Sequence, residues 1–183
     1  TKPFGFMPFY PGPGYGGHCI PVDPYYFIWM AKRYKLNSKF IELSGKINNS
    51  IPRWICDQIK IELKKTGKKI NSSKVLILGV AYKKNINDDR ESPAYKLIEI
   101  LIKNYNCKVS FFDPFIKKLN YTNSRNFNNK SLILNDKTLK TFDYGIIVTD
   151  HDSVNYKRIK KNVKILFDTR NVKNLDGKNI IKI

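Results

Sequence analysis

Three stretches carry residue types that could do chemistry. The densest is Pro11-Gly12-Pro13-Gly14-Tyr15-Gly16-Gly17-His18-Cys19-Ile20-Pro21-Val22-Asp23-Pro24. Glycines allow backbone shapes closed to other residues and let a ligand come close, and prolines hold such a loop still. Asp23-Pro24 reads as a helix start, with Asp as N-cap and Pro at the first helical position. Cys19 then stands just ahead of a helix N-terminus, whose partial positive charge favours a thiolate. A thiolate on a rigid loop is a candidate nucleophile. An isolated cysteine is more often a small buried hydrophobe, so the loop alone leaves both readings open. The second stretch, Gly79 to Arg90, holds Tyr82, Lys83 and Arg90, and the third is Asp168-Thr169-Arg170-Asn171.

The elements that must position these groups follow from periodicity. Residues 1–22 read as an irregular aromatic-rich loop, and a short helix is predicted from Pro24 to about Tyr34. Phe40, Leu43, Ile47, Ile51, Trp54, Ile55, Ile59 and Leu63 recur at steps of three and four, which predicts one long helix from Phe40 to about Lys65. Pro52 should kink or briefly break it. Residues 67–73 read as a linker. Strands are predicted at 74–80, 108–113, 143–149 and 163–168, with short ones at 132–134 and 178–181. Helices are predicted at 92–105, with Ser92 as cap and Pro93 first, and at 153–160. Alternating strands and helices imply an α/β domain with a mainly parallel sheet and helices on both faces. Ligands of such sheets bind at the C-terminal strand ends. That rule points to 79–90, Asp113, Thr149-Asp150-His151 and Asp168-Thr169-Arg170. Three units result: a Cys loop and short helix (1–35), a linking helix (36–71) and a sheet domain (72–183).

Composition narrows the class. With 183 residues, 42% of them hydrophobic, the chain can bury a sizeable core. No apolar run reaches the length of a membrane span, and the first residues do not form a signal peptide. The opening inside a motif, with no initiator Met, reads as a piece of a longer protein. Cys19, Cys56 and Cys107 are an odd, widely spaced set, which suits a reducing cytoplasm and gives no metal pattern. His18 and His151 are too scattered for a metal site. The net charge of +19 raises a basic nucleic-acid-binding module as an alternative. Its lysines are spread throughout and no nucleic-acid motif accompanies them, so a general Lys, Asn and Ile enrichment explains the charge better. No nucleic-acid or membrane partner is expected.

The wording of two stretches adds a resemblance. Thr1-Lys2-Pro3-Phe4-Gly5-Phe6-Met7-Pro8-Phe9-Tyr10 followed by Pro11 to Pro24, and Gly79-Val80-Ala81-Tyr82-Lys83-Lys84 with Asp88-Asp89-x-Glu91-Ser92-Pro93 around Arg90, closely resemble the UDP-glucose/GDP-mannose dehydrogenase family. The first matches its active-site segment and the second its C-terminal UDP-binding domain. The resemblance implies that Cys19 is the nucleophile and Asp23 the carboxylate beside it. It implies that Phe9, Tyr10, Gly14, Tyr15 and Gly16 belong to the loop that wraps sugar and uridine. Tyr82 and Lys83 match an aromatic-Lys pair on the nucleotide sugar, and Arg170 a UDP-contacting arginine. Arg90 matches an arginine that reaches the cofactor. Tyr10 and Val22 stand where glucose-specific relatives carry lysines, which favours the N-acetylhexosamine branch, with UDP-N-acetylglucosamine the expected sugar.

The implied reaction oxidises C6 twice with two NAD, through a thiohemiacetal and a thioester on Cys19, to a uronate. NAD is not expected to bind in this chain's own sheet: Gly79 is a lone glycine and the next helix is too far away for a dinucleotide cradle. The resemblance puts the NAD domain before Thr1, so this stretch alone should be inactive. It also implies a homodimer built on the long helix. The remaining alternative is a non-catalytic nucleotide-sugar-binding domain.

Overall fold

In the computed structural model the described residues are Gly5, 10–119 and 127–183. The sheet is the frame. Its strands are β1 (Lys74–Leu78), β2 (Lys108–Phe112), β3 (Tyr144–Ile147), β4 (Leu166–Asp168) and β5 (Ile180–Lys182). They lie in the order β2-β1-β3-β4-β5, and every pairing is parallel. Parallel neighbours need a crossover between them, so the C-terminal ends of the strands gather along one edge. The helices are α1 (Asp23–Arg33), α2 (Lys39–Lys65), α3 (Pro93–Tyr105), α4 (Asp136–Lys140) and α5 (Tyr156–Asn162).

Side-chain alternation along the strands builds two cores. Val75 and Ile77 of β1, Tyr144 and Ile146 of β3 and Phe167 of β4 pack with Ile55, Ile59 and Leu63 of α2 and Leu97 and Leu101 of α3. Leu76, Leu78, Ile147 and Leu166 point the other way, onto Leu139 of α4 and Tyr156 and Ile159 of α5. A sheet covered on both faces explains why its strands read as continuous apolar runs. Tyr144 and Phe167 meet edge to face at 5.6 Å.

Several expectations change in detail. The helix α2 runs unbroken through Pro52, so no break occurs there. Its apolar residues do not form one face. Ile55, Ile59 and Leu63 are buried, whereas Phe40, Leu43, Ile47, Trp54 and Ile61 are exposed. At 3.6 residues per turn the two sets are centred roughly 140° apart around the helix. Residues 132–134 form no strand; Leu132 donates one backbone hydrogen bond to the Phe111 carbonyl, and nearby, among the described residues, stands a single antiparallel bridge, Lys118 with Lys130. The single-turn helix α4 follows instead, capped by Asn135, whose Oδ1 accepts from Thr138 N at 2.9 Å. The first strand ends at Leu78 because Gly79 turns left-handed (φ 80°), and a Cβ there would run into the Thr149 carbonyl. The fourth is shorter than predicted, starting at Leu166 rather than residue 163. The cap of α3 is as expected, with Ser92 Oγ accepting from Ala94 N and Pro93 first. Among the described residues no helix is long and apolar enough to cross a membrane.

Candidate active site

The glycine-rich loop lies against the strand-end edge of the sheet and is held there by its backbone. Gly17 N donates to the Arg90 carbonyl at 2.8 Å, and Tyr15 N to Asn48 Oδ1 of α2 at 3.0 Å. A Cβ on Gly16 would stand 2.5 Å from Tyr82 Cβ and 2.9 Å from the Glu91 carbonyl oxygen, so this approach requires glycine. Gly12 passes so close to the Arg170 guanidinium that a Cβ there would also collide. Beyond the loop, the Tyr15 hydroxyl lies 3.3 Å from that of Tyr25 on α1, to which Asn49 Nδ2 also donates at 3.4 Å. Burial, then the hydrogen bond and field of Tyr25, push the Tyr15 hydroxyl up to about 12.

Cys19 follows this anchored segment and is exposed. Its carbonyl accepts from Val22 N at 3.0 Å and Asp23 N at 2.8 Å. The N-cap of α1 is therefore Val22, not Asp23, and no side chain caps the helix. The Tyr25 and Tyr26 N–H groups that an Asp23 side-chain cap would satisfy go instead to the Val22 carbonyl, at 3.0 and 3.3 Å, so Asp23 becomes the first helical residue. It remains four residues from Cys19 and tied to it through the backbone, with its carboxylate exposed. Cys19 also lies within the electrostatic reach of Arg90.

Arg90 is held by Asp88. Its Nε lies 3.0 Å from both carboxylate oxygens and its Nη2 2.6 Å from Oδ2. The hydrogen bond from Arg90 chiefly lowers the Asp88 pKa, and the same bond raises that of Arg90. Both residues line a polar cleft of about 460 Å³ with Asp89, Lys117 and Lys118. Arg170 is oriented by Asp150, whose Oδ1 accepts from Nε at 3.1 Å. Its backbone N donates to Asp168 Oδ1 at 3.0 Å, so the buried aspartate at the end of β4 shapes the turn that carries it. Lys83 is exposed, and among the described residues none pairs with it. Lys84, its neighbour, pairs with Asp152 at 3.1 Å.

The expected site residues thus separate. Gly14, Tyr15, Gly16, Tyr82, Arg90 and Arg170 come together where the loop meets the strand ends, and Cys19 stands at its margin. Lys83 follows β1 and Arg170 follows β4, with β3 between them, so both project from one edge. Tyr10 is 78% exposed and touches none of the strand-end groups by hydrogen bond. Phe9 lies outside the described residues. Sequence reasoning did not single out Asn48, which holds the loop; Asp88 and Asp150, which orient Arg90 and Arg170, fall within the stretches that the strand-end rule pointed to.

A cysteine-bearing loop docked beside Arg90 and Arg170 on the strand ends of a parallel α/β sheet makes a candidate site for an anionic ligand. Residues 76–175 match the UDP binding domain of the UDP-glucose/GDP-mannose dehydrogenase family, and residues 1–50 match that family's central domain. The chain belongs to the UDP-glucose/GDP-mannose dehydrogenase family. It is 35% identical over 172 residues to a UDP-N-acetyl-D-mannosamine dehydrogenase of Methanococcus maripaludis, covering 88% of this chain and 36% of the relative. A protein of the same name from Escherichia coli is 31% identical over 77% of this chain and 33% of its own length. The chain therefore spans about a third of these relatives. Among solved structures, a UDP-D-ManNAc dehydrogenase from Pyrococcus horikoshii superposes with a TM-score of 0.76 at 29% identity, over 95% of this chain and 39% of that one. An NDP-N-acetyl-D-galactosaminuronic acid dehydrogenase from Methanosarcina mazei, at 23% identity, shares the fold with a TM-score of 0.78, over 96% of this chain and 39% of that one.

Proposed function

We propose that this chain is the nucleotide-sugar-binding part of an NAD-dependent 6-dehydrogenase acting on a UDP-N-acetylhexosamine. One observation carries the reading: the Cys19 loop is docked, through Gly12, Gly16 and Gly17, onto the same strand ends that present Tyr82, Arg90 and Arg170. A sugar nucleotide whose phosphates meet the cations can thus bring its sugar toward the cysteine. The names of the relatives favour UDP-N-acetyl-D-mannosamine over the glucosamine epimer that the sequence suggests, and the two differ only at C2.

Each residue has a task. Lys83 offers an unpaired ammonium to diphosphate oxygens, and Arg170 a planar fork already aimed by Asp150. Tyr10, Gly14, Tyr15 and Gly16, with Phe9, surround sugar and base. The Cys19 thiolate adds to the C6 aldehyde, giving a thiohemiacetal; after the second oxidation C6 is held as a thioester. Asp23 activates the water that releases the uronate and returns the thiol. A thiolate suits this because it is nucleophilic near neutral pH and its thioester hydrolyses readily.

NAD supplies the acceptor for the two hydrides that leave C6. This chain's sheet does not fit it as a cradle: the turn after β1 has the lone Gly79, filled by Thr149, and α3 begins only at Pro93. Arg90 is the residue here suited to a cofactor phosphate from a neighbouring domain. The exposed stripe of Phe40, Leu43, Ile47, Trp54 and Ile61 on α2 supports a homodimer through that helix, in a protein of the cytoplasm.

The test is a substrate panel on the complete protein, following NADH. UDP-N-acetyl-D-mannosamine and UDP-N-acetyl-D-glucosamine should separate clearly, and Cys19→Ala should abolish turnover while UDP binding persists. Undiminished turnover by Cys19→Ala would remove the covalent mechanism. A panel in which no UDP-N-acetylhexosamine is oxidised would remove the substrate class.

A further inference from the structure

Asp113, at the end of β2, and His151, in the loop after β3, have fully buried side chains, and the proposed chemistry uses neither. Asp113 Oδ1 accepts from Phe115 N at 2.8 Å and Ile116 N at 2.9 Å. Its Oδ2 accepts from Val80 N at 2.7 Å and Ala81 N at 3.1 Å, and lies 3.0 Å from His151 Nε2. On the other side of the ring, His151 Nδ1 accepts from Asn85 N at 2.9 Å. A nitrogen that accepts an N–H cannot carry a proton of its own. Nδ1 is therefore bare, Nε2 carries the proton, and the imidazole is neutral.

The consequence is local and specific. One carboxylate and one imidazole take up the backbone N–H groups of residues 80, 81 and 85. Those residues flank Tyr82, Lys83 and Lys84 on both sides. The segment is closed again by Tyr82 N donating to the Asp88 carbonyl at 3.0 Å. Asn85 is left-handed (φ 62°), and its side chain is gripped by Asp152, to which Nδ2 donates at 2.6 Å. Thr149 Oγ1 also donates to the Ala81 carbonyl at 2.6 Å. Among the described residues the Lys83 side chain has no hydrogen-bond or ion-pair partner, and the backbone on either side sets where it stands.

We propose that Asp113 and His151 are positioning residues: a buried carboxylate–imidazole pair, in one fixed tautomer, that holds the Tyr82–Lys83 segment in the shape that receives the ligand's diphosphate. This rests on the reading of the strand-end site as a UDP-sugar site. His151 reaches the ligand only through Asn85 and the segment it fixes. Its loss should weaken ground-state binding and leave the covalent step on Cys19 in place.

The experiment compares two variants of the complete protein. His151→Phe fills the space beside Phe115, whose ring lies 5.1 Å from the imidazole, but removes both hydrogen bonds. His151→Asn keeps a carbonyl acceptor near Nδ1. UDP affinity by calorimetry should fall about tenfold in His151→Phe, the factor that one buried hydrogen bond supplies. Asn should restore it to within about threefold of wild type. In turnover the loss should appear in KM, with kcat little changed. Two readouts need no ligand: the wild-type imidazole should show an unprotonated Nδ1 by ¹⁵N NMR, and the Asn85 amide should exchange faster in His151→Phe than in His151→Asn. Unchanged UDP affinity in His151→Phe, equal losses in both variants, or a protonated Nδ1 would each overturn the positioning role. A wild-type protein that binds no UDP would instead overturn the functional reading, while the exchange and NMR results would still decide the anchor.

Discussion

Helix α2 carries two apolar stripes with opposite fates. Ile55, Ile59 and Leu63 press into the sheet and are at most 2% exposed, while Phe40, at 84%, and Leu43 and Ile47 face outward. Residue type and spacing are alike on both. What differs is the surface opposite: β1, β3 and α3 on one side, and nothing within the described residues on the other. The inner stripe stabilises this chain as it stands. The outer one becomes favourable only when another surface covers it, which fits a helix that joins this region to a second copy or to the rest of a longer protein.

The comparison can be broken or sharpened by measurement. The largest effect should come from the inner stripe. Ile59→Ala removes fully buried methylenes from a packed core and should cost about 2–5 kcal/mol in denaturant unfolding. A loss below about 1 kcal/mol would mean that the sheet face of α2 is not the main core. Next comes the hinge between sheet and site. Gly79→Ala places a Cβ against the Thr149 carbonyl at a left-handed φ, and should cost roughly 1–3 kcal/mol while loosening the loop that carries Lys83.

Acid should find the strand-end region before it finds either stripe. Burial works to raise the Asp113 pKa, but the hydrogen bonds from His151 and from the Val80, Ile116 and Phe115 backbone outweigh it and hold the carboxyl at about 2. A pKa depressed in the fold gives stability that is present above the unfolded value of about 3.9 and lost as pH falls through the folded one. Between about pH 5 and pH 2 the protein should therefore lose about 2–3 kcal/mol through this group, and Asp113→Asn should flatten that limb of the stability curve. At the other extreme, burial and then the charge of Asp57 push the Cys56 thiol on the inner stripe up to about 12. A raised pKa gives stability present below the unfolded thiol's value of about 8.5 and lost as pH rises toward 12, so Cys56→Ala should blunt alkaline unfolding. The smallest effect belongs to the outer stripe. Leu43→Ala should change unfolding of the monomeric chain by less than about 0.5 kcal/mol, yet lower the association of the complete protein in sedimentation if that stripe is the dimer contact.

Much of this protein is decided by short-range pattern. The strand runs at 74–78 and 108–112, the Ser92-Pro93 helix start and the alternation of strands and helices are local signals, and they suffice for a parallel α/β sheet and for looking for its site at the strand ends. The glycine loop and the Tyr82-Lys83 and Arg170 turns are equally legible, because glycines and clustered charges leave a mark in a few residues. Tertiary structure alone decides which neighbour meets each group. Periodicity reads the apolar residues of α2 as one series and cannot say which of them the sheet covers, since burial depends on residues far along the chain. The Asp23 cap gives way to Val22, whose carbonyl accepts the Tyr25 and Tyr26 N–H groups. Asp113, Asn85 and His151 are separated by up to 66 residues, and only the parallel pairing of β1 with β2 and β3 brings them within 3 Å. A hydrogen bond needs that proximity, and sequence spacing does not supply it.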